Sequence, residues 1–396
     1  MNLTRLLSSG TAFILLLTMG CGSNGFYVPP HTVYIVQDVV ATNGTAPARI
    51  FEFPAIGLDN SPPTAILTPP SNTDFVGQLA VDPAGNLYAV AVLVPSQTAL
   101  PTTPEVLVYA PGATTPTRTL LLPPLPSPYS AATEQVAVDA MGEIYITTGG
   151  CSDATGVFQP ISINVYAASA TGSANPIRQI SGSLTQLLLP NVQATNTCVE
   201  IPGIAVDSSQ NIYAEIQTIL PSSYPPVKSV LVFSATANGN VAPSRVIAGS
   251  ATGLYGDGVN DTQLLVDSEG DIFTTTYIPS SQSNAIVEFA PGVSGNVAPI
   301  NTINTSPIQI LNLPTPSTGT TYTIQPNALA LDAAGDLYSA ESVAIMQTSP
   351  RNITYMPVIE VFLPNASGSA IPVQTITLTT AINAVLPSVW NEIAVR

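Results

Sequence analysis

Charge is scarce in this sequence. Asp, Glu, Lys and Arg make up 8% of its 396 residues, and only eight residues are basic. Histidine and tryptophan each occur once and cysteine three times. Each shortage excludes something. With His31 as the only imidazole, a histidine-based nucleophile relay or a His-rich metal site has no residues to be built from. The 24 acidic residues set the formal charge at −16. A surface of that sign repels phosphate backbones, so nucleic acid is not an expected partner. No Gly-rich loop runs from a strand into a helix, and no stretch repeats apolar residues at helical spacing. What the chain has in quantity is proline (38), glycine (27) and hydrophobic residues, 45% of the total. That composition suits short strands, many turns and a large core, and argues against a helical bundle or a charged disordered tail.

The N-terminus reads as targeting rather than structure. Arg5 precedes a short apolar run, Ala12 to Leu17, too short to span a bilayer. Leu17-Thr18-Met19-Gly20-Cys21 then resembles the lipobox of bacterial lipoproteins, which implies that residues 1–20 are a signal peptide and that Cys21 is acylated. Thr18 stands where that motif usually carries Leu, and an ordinary signal peptide with an incidental Cys is the alternative. Residues 21–30 follow as a flexible tether. The expected location is the cell envelope, as an outer-membrane lipoprotein facing the periplasm or the surface, touching membrane only through its lipid. Removing Cys21 from the count leaves Cys151 and Cys198. In an oxidising compartment these are expected as a disulfide, whose loop of roughly 50 residues is worth about 4 kcal/mol in the chain-entropy picture. Two separate buried thiols are the alternative.

Self-comparison of residues 31–396 reveals a repeat. An apolar run ends in Asp, a short turn follows, and an apolar pair ends in an aromatic residue. The copies are Leu79-Ala80-Val81-Asp82 with Leu87-Tyr88, Val136-Ala137-Val138-Asp139 with Ile144-Tyr145, Ile204-Ala205-Val206-Asp207 with Ile212-Tyr213, Leu264-Leu265-Val266-Asp267 with Ile272-Phe273, and Leu329-Ala330-Leu331-Asp332 with Leu337-Tyr338. Their Asp residues are 57, 68, 60 and 65 positions apart. Asp can accept the turn's backbone N–H groups, and a Gly supplies the positive φ that the loop requires. In the third copy Gln210 takes that Gly position, so the turn is expected to be strained or differently shaped. A second hairpin follows each first one, as in Val106-Leu107-Val108-Tyr109 with Pro116. A Pro before the last strand fits an outer edge, where the missing N–H is tolerated.

Each repeat is therefore four antiparallel strands, A to D. The chain begins with a B strand that lacks its A, His31 to Val36, and ends with an A strand that has no successor, Ile393 to Arg396. Five complete repeats and one blade shared by the two termini make an all-β, six-bladed β-propeller, closed by its C-terminal strand. The repeats resemble NHL-type propellers, especially exported, Pro- and Thr-rich bacterial versions. That resemblance covers nearly all of residues 31–396 and implies a scaffold rather than an activity.

The A–B and C–D turns are short and lie on one face. The B–C and D–A connections lie on the other, and they are long and different in every blade, as at 92–104, 147–161, 181–202, 304–327 and 340–357. Loops on a rigid frame carry function, so the long-loop face is the expected binding face. Residues just before the A strands, Gln78, Gln135, Gln263 and Glu392, are expected to ring the channel mouth there, joined by Glu215 and Glu341 near the ends of B strands. Such a polar mouth suits a protein or glycan partner from the envelope, bound by a monomer without a cofactor. The competing expectation is a hydrolase, lactonase or lyase that uses mouth carboxylates or a divalent ion. The gluconolactonase-like propellers hold such an ion with Glu, Asn and Asp, and Ca²⁺ is then the candidate metal.

Overall fold

The computed structural model describes residues 32–39, 48–54, 62–93, 103–123, 135–151, 161–188, 198–220, 223–256, 264–281, 283–304, 320–348, 351–377 and 388–396. Residues 1–31, with the expected signal peptide, Cys21 and the tether, lie outside this set, as does Gln263.

The chain starts on β1 (Thr32–Val39), β2 (Arg49–Pro54) and β3 (Ala65–Leu67). Blade 2 is β4 (Thr73–Val81), β5 (Leu87–Leu93), β6 (Thr103–Tyr109) and β7 (Arg118–Leu121). Blade 3 is β8 (Val136–Val138), β9 (Ile144–Thr148), β11 (Ser162–Tyr166) and β12 (Arg178–Ser181), with the two-residue β10 (Gly150–Cys151) inside its B–C connection. Blade 4 is β13 (Cys198–Val206), β14 (Ile212–Leu220), β15 (Ser223–Phe233) and β16 (Arg245–Ile247). Blade 5 is β17 (Leu265–Val266), β18 (Ile272–Ile278), β19 (Ser283–Phe289) and β20 (Asn301–Asn304). Blade 6 is β21 (Thr320–Leu331), β22 (Leu337–Thr348), β23 (Arg351–Phe362) and β24 (Gln374–Thr377), and β25 (Ser388–Val395) ends the chain.

All neighbouring pairs in these sheets are antiparallel, and β25 pairs with β1 in the order β25-β1-β2-β3. Val33 lies opposite Val395 and Ile35 opposite Ile393, so blade 1 is built from both ends of the chain. Six hydrophobic clusters fill the six seams between adjacent blades. The cluster that joins Val33, Ile35, Phe51 and Phe53 to Ala340, Ile359 and Val361 packs blade 6 against blade 1 and closes the ring. Because both faces of each blade are covered, the central strands read as unbroken apolar runs rather than alternating ones. The structure is thus the expected six-bladed propeller.

The A–B turns follow the sequence logic closely. Asp82 Oδ1 accepts the Asn86 backbone N–H at 2.8 Å, and Asp139, Asp207, Asp267 and Asp332 accept the same N–H in their own turns. Gln210 adopts φ 64°, a left-handed conformation that costs a non-Gly residue about 1 kcal/mol. Its side chain offsets this by donating to Asp139 Oδ2 of the preceding blade at 2.7 Å.

One connection differs from expectation. Residues 340–357 are not an irregular loop: β22 and β23 stay paired from Leu337–Phe362 out to Thr348–Arg351, a ladder of twelve residues per strand. Backbone pairing continues because the ladder places no demand on side-chain polarity once the hairpin has left the disc. Blade 4 is extended in the same direction by β14 and β15, which pair as far as Leu220–Ser223.

Neighbouring blades are also tied by polar contacts. The D strand of each of blades 2 to 5 bridges to a C–D-turn glycine of the next blade, at Leu120–Gly172, Ile180–Gly239, Ile247–Gly295 and Ile303–Gly368. In blades 2, 3 and 4 a D-strand Arg strengthens the tie. Tyr88 OH donates to Asp82 Oδ2 at 3.1 Å, and Arg118 donates to Tyr88 OH at 3.3 Å and to the Ala170 carbonyl of blade 3 at 3.0 Å. Arg178 and Arg245 repeat this arrangement with Tyr145 and Tyr213. All three guanidinium groups sit over their tyrosine rings, 5.5 to 5.8 Å from the centroid. Burial and the Asp82 carboxylate push the Tyr88 hydroxyl up to about 12, against an opposing pull from Arg118, so it stays a donor.

Candidate functional site

The A strands of all six blades surround a central channel of about 250 Å³. Its wall is made of residues such as Val81, Val138, Ile204, Val266, Leu331 and Val395, with Gln78 the polar exception among its described lining. The channel is therefore apolar along the strands, and polarity begins at its mouth. There the A strands of blades 1, 2, 4 and 6 carry irregularities in register, between Phe75 and Leu79, Glu200 and Gly203, Pro326 and Ala328, and opposite Val36/Gln37. A bulge bends a strand and re-aims its side chains, which suits a strand turning out over a rim.

The sequence-predicted mouth residues fall into different environments. Gln135 Oε1 accepts the Gln78 backbone N–H at 3.1 Å, which joins blades 2 and 3 at the mouth. Both side chains are buried, and Gln78 Oε1 and Gln135 Nε2 have no hydrogen-bond partner. Glu392 lies opposite Val36 in blade 1.

Glu215 and Glu341 are fully buried in seams, not ranged around the open mouth. Glu215 of β14 forms an ion pair with Lys228 of β15 and accepts from the Thr274 hydroxyl across the seam with blade 5. Lys228 also donates to the Thr275 carbonyl at 3.0 Å. A charge taken out of water costs several kcal/mol unless it is paired, and here each charge is paired and hydrogen-bonded. Glu341 lies on the blade 5 side of blade 6, where Ser339 donates to its Oε1 at 2.7 Å. Glu360 stands opposite Ser339 on the adjacent strand, also fully buried. Glu341 Oε2 and both Glu360 carboxyl oxygens have no hydrogen-bond partner. Burial raises the Glu341 carboxyl far above the usual carboxylate range, and burial plus the neighbouring Glu341 does the same to Glu360. Both effects favour the protonated form of the pair.

Cys151 and Cys198 do meet in the fold. β10 adds to the edge of β13, and the two cysteines are direct antiparallel partners. Sequence reasoning passed over the Asp–Tyr–Arg ties, although a signal was present. Arg118, Arg178 and Arg245 each stand two residues after the D-strand proline, at Pro116, Pro176 and Pro243. Three of only eight basic residues therefore occupy one repeat position.

No family model matches the chain, and no curated protein matches it. Among solved structures, the chain is similar to one described as "Crystal structure of the eukaryotic initiation factor", at 9% identity, covering 92% of this chain and 99% of that one with a TM-score of 0.27. Likeness of that degree carries no functional argument. The class is defined by the strand pairings themselves: a six-bladed β-propeller.

Proposed function

We propose that the protein is an exported, lipid-anchored propeller of NHL-like type that binds an envelope protein or glycan through its long-loop face. The observation that carries this reading is the one-sided extension of the disc. β22 and β23 run out to Thr348 and Arg351 on that face, and β14 and β15 of blade 4 extend in the same direction. Elements projecting from one side of a closed ring give a partner backbone and side chains to meet, and propellers commonly serve as interaction modules. The facing Cys151 and Cys198 backbone positions support a disulfide that pins β10 to blade 4 on the same face, which agrees with an oxidising compartment. The Leu17 to Cys21 motif supports acylation at Cys21.

The test is affinity capture from envelope extract with the mature chain and with a variant in which 344–355 is replaced by a two-residue turn. Melting curves must first establish that both are folded. A partner held by the parent chain and lost from the trimmed one supports the reading, and equal recovery of every partner sinks it.

A further inference from the structure

The Asp–Tyr–Arg tie is lacking in blades 1, 5 and 6; blade 6 keeps Asp332 and Tyr338 with Gln374 at the arginine position, whereas in blade 5 the replacement is concerted. In blade 5, Phe273 replaces the tyrosine and Asn301 replaces the arginine, at the positions held by Tyr88 and Arg118 in blade 2. Their cross-strand neighbour, a valine in blades 2, 3 and 4, is Glu288. Asp271 stands where blades 2 and 4 carry Asn86 and Asn211, each of which donates a side-chain N–H to its turn Asp. Asp267 thus lacks both the hydroxyl and the amide that partner Asp82 and Asp207.

Where the guanidinium would lie, a cleft of about 400 Å³ opens between blades 5 and 6 on the short-turn face. Asp267, Glu269, Asp271 and Glu288 line one side, the Phe273 ring lies among them, and the blade 6 turn from Leu363 to Ala366 forms the other wall. Asn301 reaches the Ala366 carbonyl at 2.6 Å and Glu288 at 3.1 Å, so its short side chain meets the carbonyl that corresponds to Ala170 without filling the space. Burial and mutual repulsion raise the carboxyl groups of Asp271 and Glu288.

We propose that this cleft receives an arginine side chain from a partner polypeptide. Three sister seams of the same molecule demonstrate the fit. Each holds a guanidinium over the equivalent aromatic ring, bonded to the next blade's C–D turn. The blade 5 seam keeps the ring and the turn, gains two carboxylates, and lacks the tyrosine hydroxyl and the cation. A planar guanidinium can engage a carboxylate and a ring face together, whereas an ammonium offers a point charge. The site is on the face opposite the long hairpins and stands whether or not that face binds anything.

The test is titration of the mature chain with capped Gly-Arg-Gly, Gly-citrulline-Gly and Gly-Lys-Gly peptides and with CaCl₂ alone, followed by chemical-shift perturbation or calorimetry. The Arg peptide is expected to bind about tenfold more tightly than the citrulline peptide and to weaken with salt. Asn301→Arg, which fills the cleft from within, should reduce that affinity by about tenfold or more, and Glu288→Gln should reduce it while leaving the protein folded. Equal binding of the Arg and citrulline peptides overturns the proposal, as does undiminished binding to Asn301→Arg. Saturation by Ca²⁺ that is lost in Glu288→Gln would overturn it in favour of a metal site.

Discussion

Cys151 of β10 lies directly opposite Cys198 of β13, bringing together a B–C connection of one blade and the A strand of the next. Directly opposed antiparallel residues have Cα atoms about 4.5–5.5 Å apart, inside the range that a disulfide spans. The protein isolated from an oxidising compartment should therefore yield no free thiol from this pair on denaturation. Replacing either cysteine by Ser should cost a few kcal/mol, with about 4 as the entropic expectation. Thiol counting by mass spectrometry and a denaturant melt check both. Two free thiols in the exported protein would refute the bridge.

Arg178 is expected to resist conservative replacement. It bonds Glu143 at 3.0 Å and Tyr145 OH at 3.3 Å, reaches the Ala235 carbonyl, and stacks on the Tyr145 ring. An ammonium cannot make this fan of contacts in one plane. Arg178→Lys should destabilise by about 1–3 kcal/mol, close to the cost of Arg178→Ala. Chemical denaturation of the three proteins measures the difference. Full stability in the Lys variant would mean that charge alone suffices.

The Glu341–Glu360 pair predicts a pH dependence with a definite sign. Both carboxyls are raised in the folded state, so the native protein binds more protons than the unfolded chain once the pH exceeds the unfolded value of about 4.3. Stability from this pair is complete below that value and declines as pH rises towards the raised folded values. Glu360→Gln removes one titrating group and should flatten the slope. It should gain on the parent by about 1–3 kcal/mol at pH 8 and by little near pH 4. Thermal melts from pH 4 to 9, read as variant minus parent, test this. A constant difference across that range would contradict it.

The fold was legible because its repeat is carried by residues with obligatory local jobs. Asp82 and its equivalents must accept turn N–H groups, and Gly85 must take positive φ, so the pattern survives where the packing residues drift. The site was less legible. In a blade buried on both faces, a strand has no polar face to reveal which way a residue points, so Glu215 and Glu341 could be placed near the ends of B strands but not in the seams they occupy. The hairpin of residues 340–357 was hidden for a related reason: extended pairing needs no particular side chains, and Ser349-Pro350, a turn signal between Thr348 and Arg351, says nothing of how far the strands run. The arginine ties were missed because only three of six repeats carry them.

Arg396 gives the last prediction, and it concerns closure. It sits where other A strands carry the turn Asp, and its backbone exchanges hydrogen bonds with Thr32, at 2.9 and 3.3 Å. Blade 1 thereby inverts the usual charges. Arg396 takes the Asp position, and burial and then Glu52 on the C strand raise the Tyr34 hydroxyl against a smaller opposing pull from Arg396. The Arg396 guanidinium also lies against Gly85 of blade 2, so that any Cβ there would collide with it. Two substitutions separate the roles of strand and side chain. Deleting 393–396 removes the ladder to β1 and the Ile393 contact in the blade 6–blade 1 seam, and leaves that edge open. It should unfold the ring cooperatively or destabilise it by about 4 kcal/mol or more, which for a ring of this size lowers the melting temperature by about five degrees or more. Arg396→Asp keeps the strand and restores the sequence of the other turns, but places a carboxylate in the same blade as Glu52 and withdraws the cation. It should cost less than the deletion and about 1–2 kcal/mol in all. If the truncated chain melted with the parent, the two ends of the molecule would not be one blade.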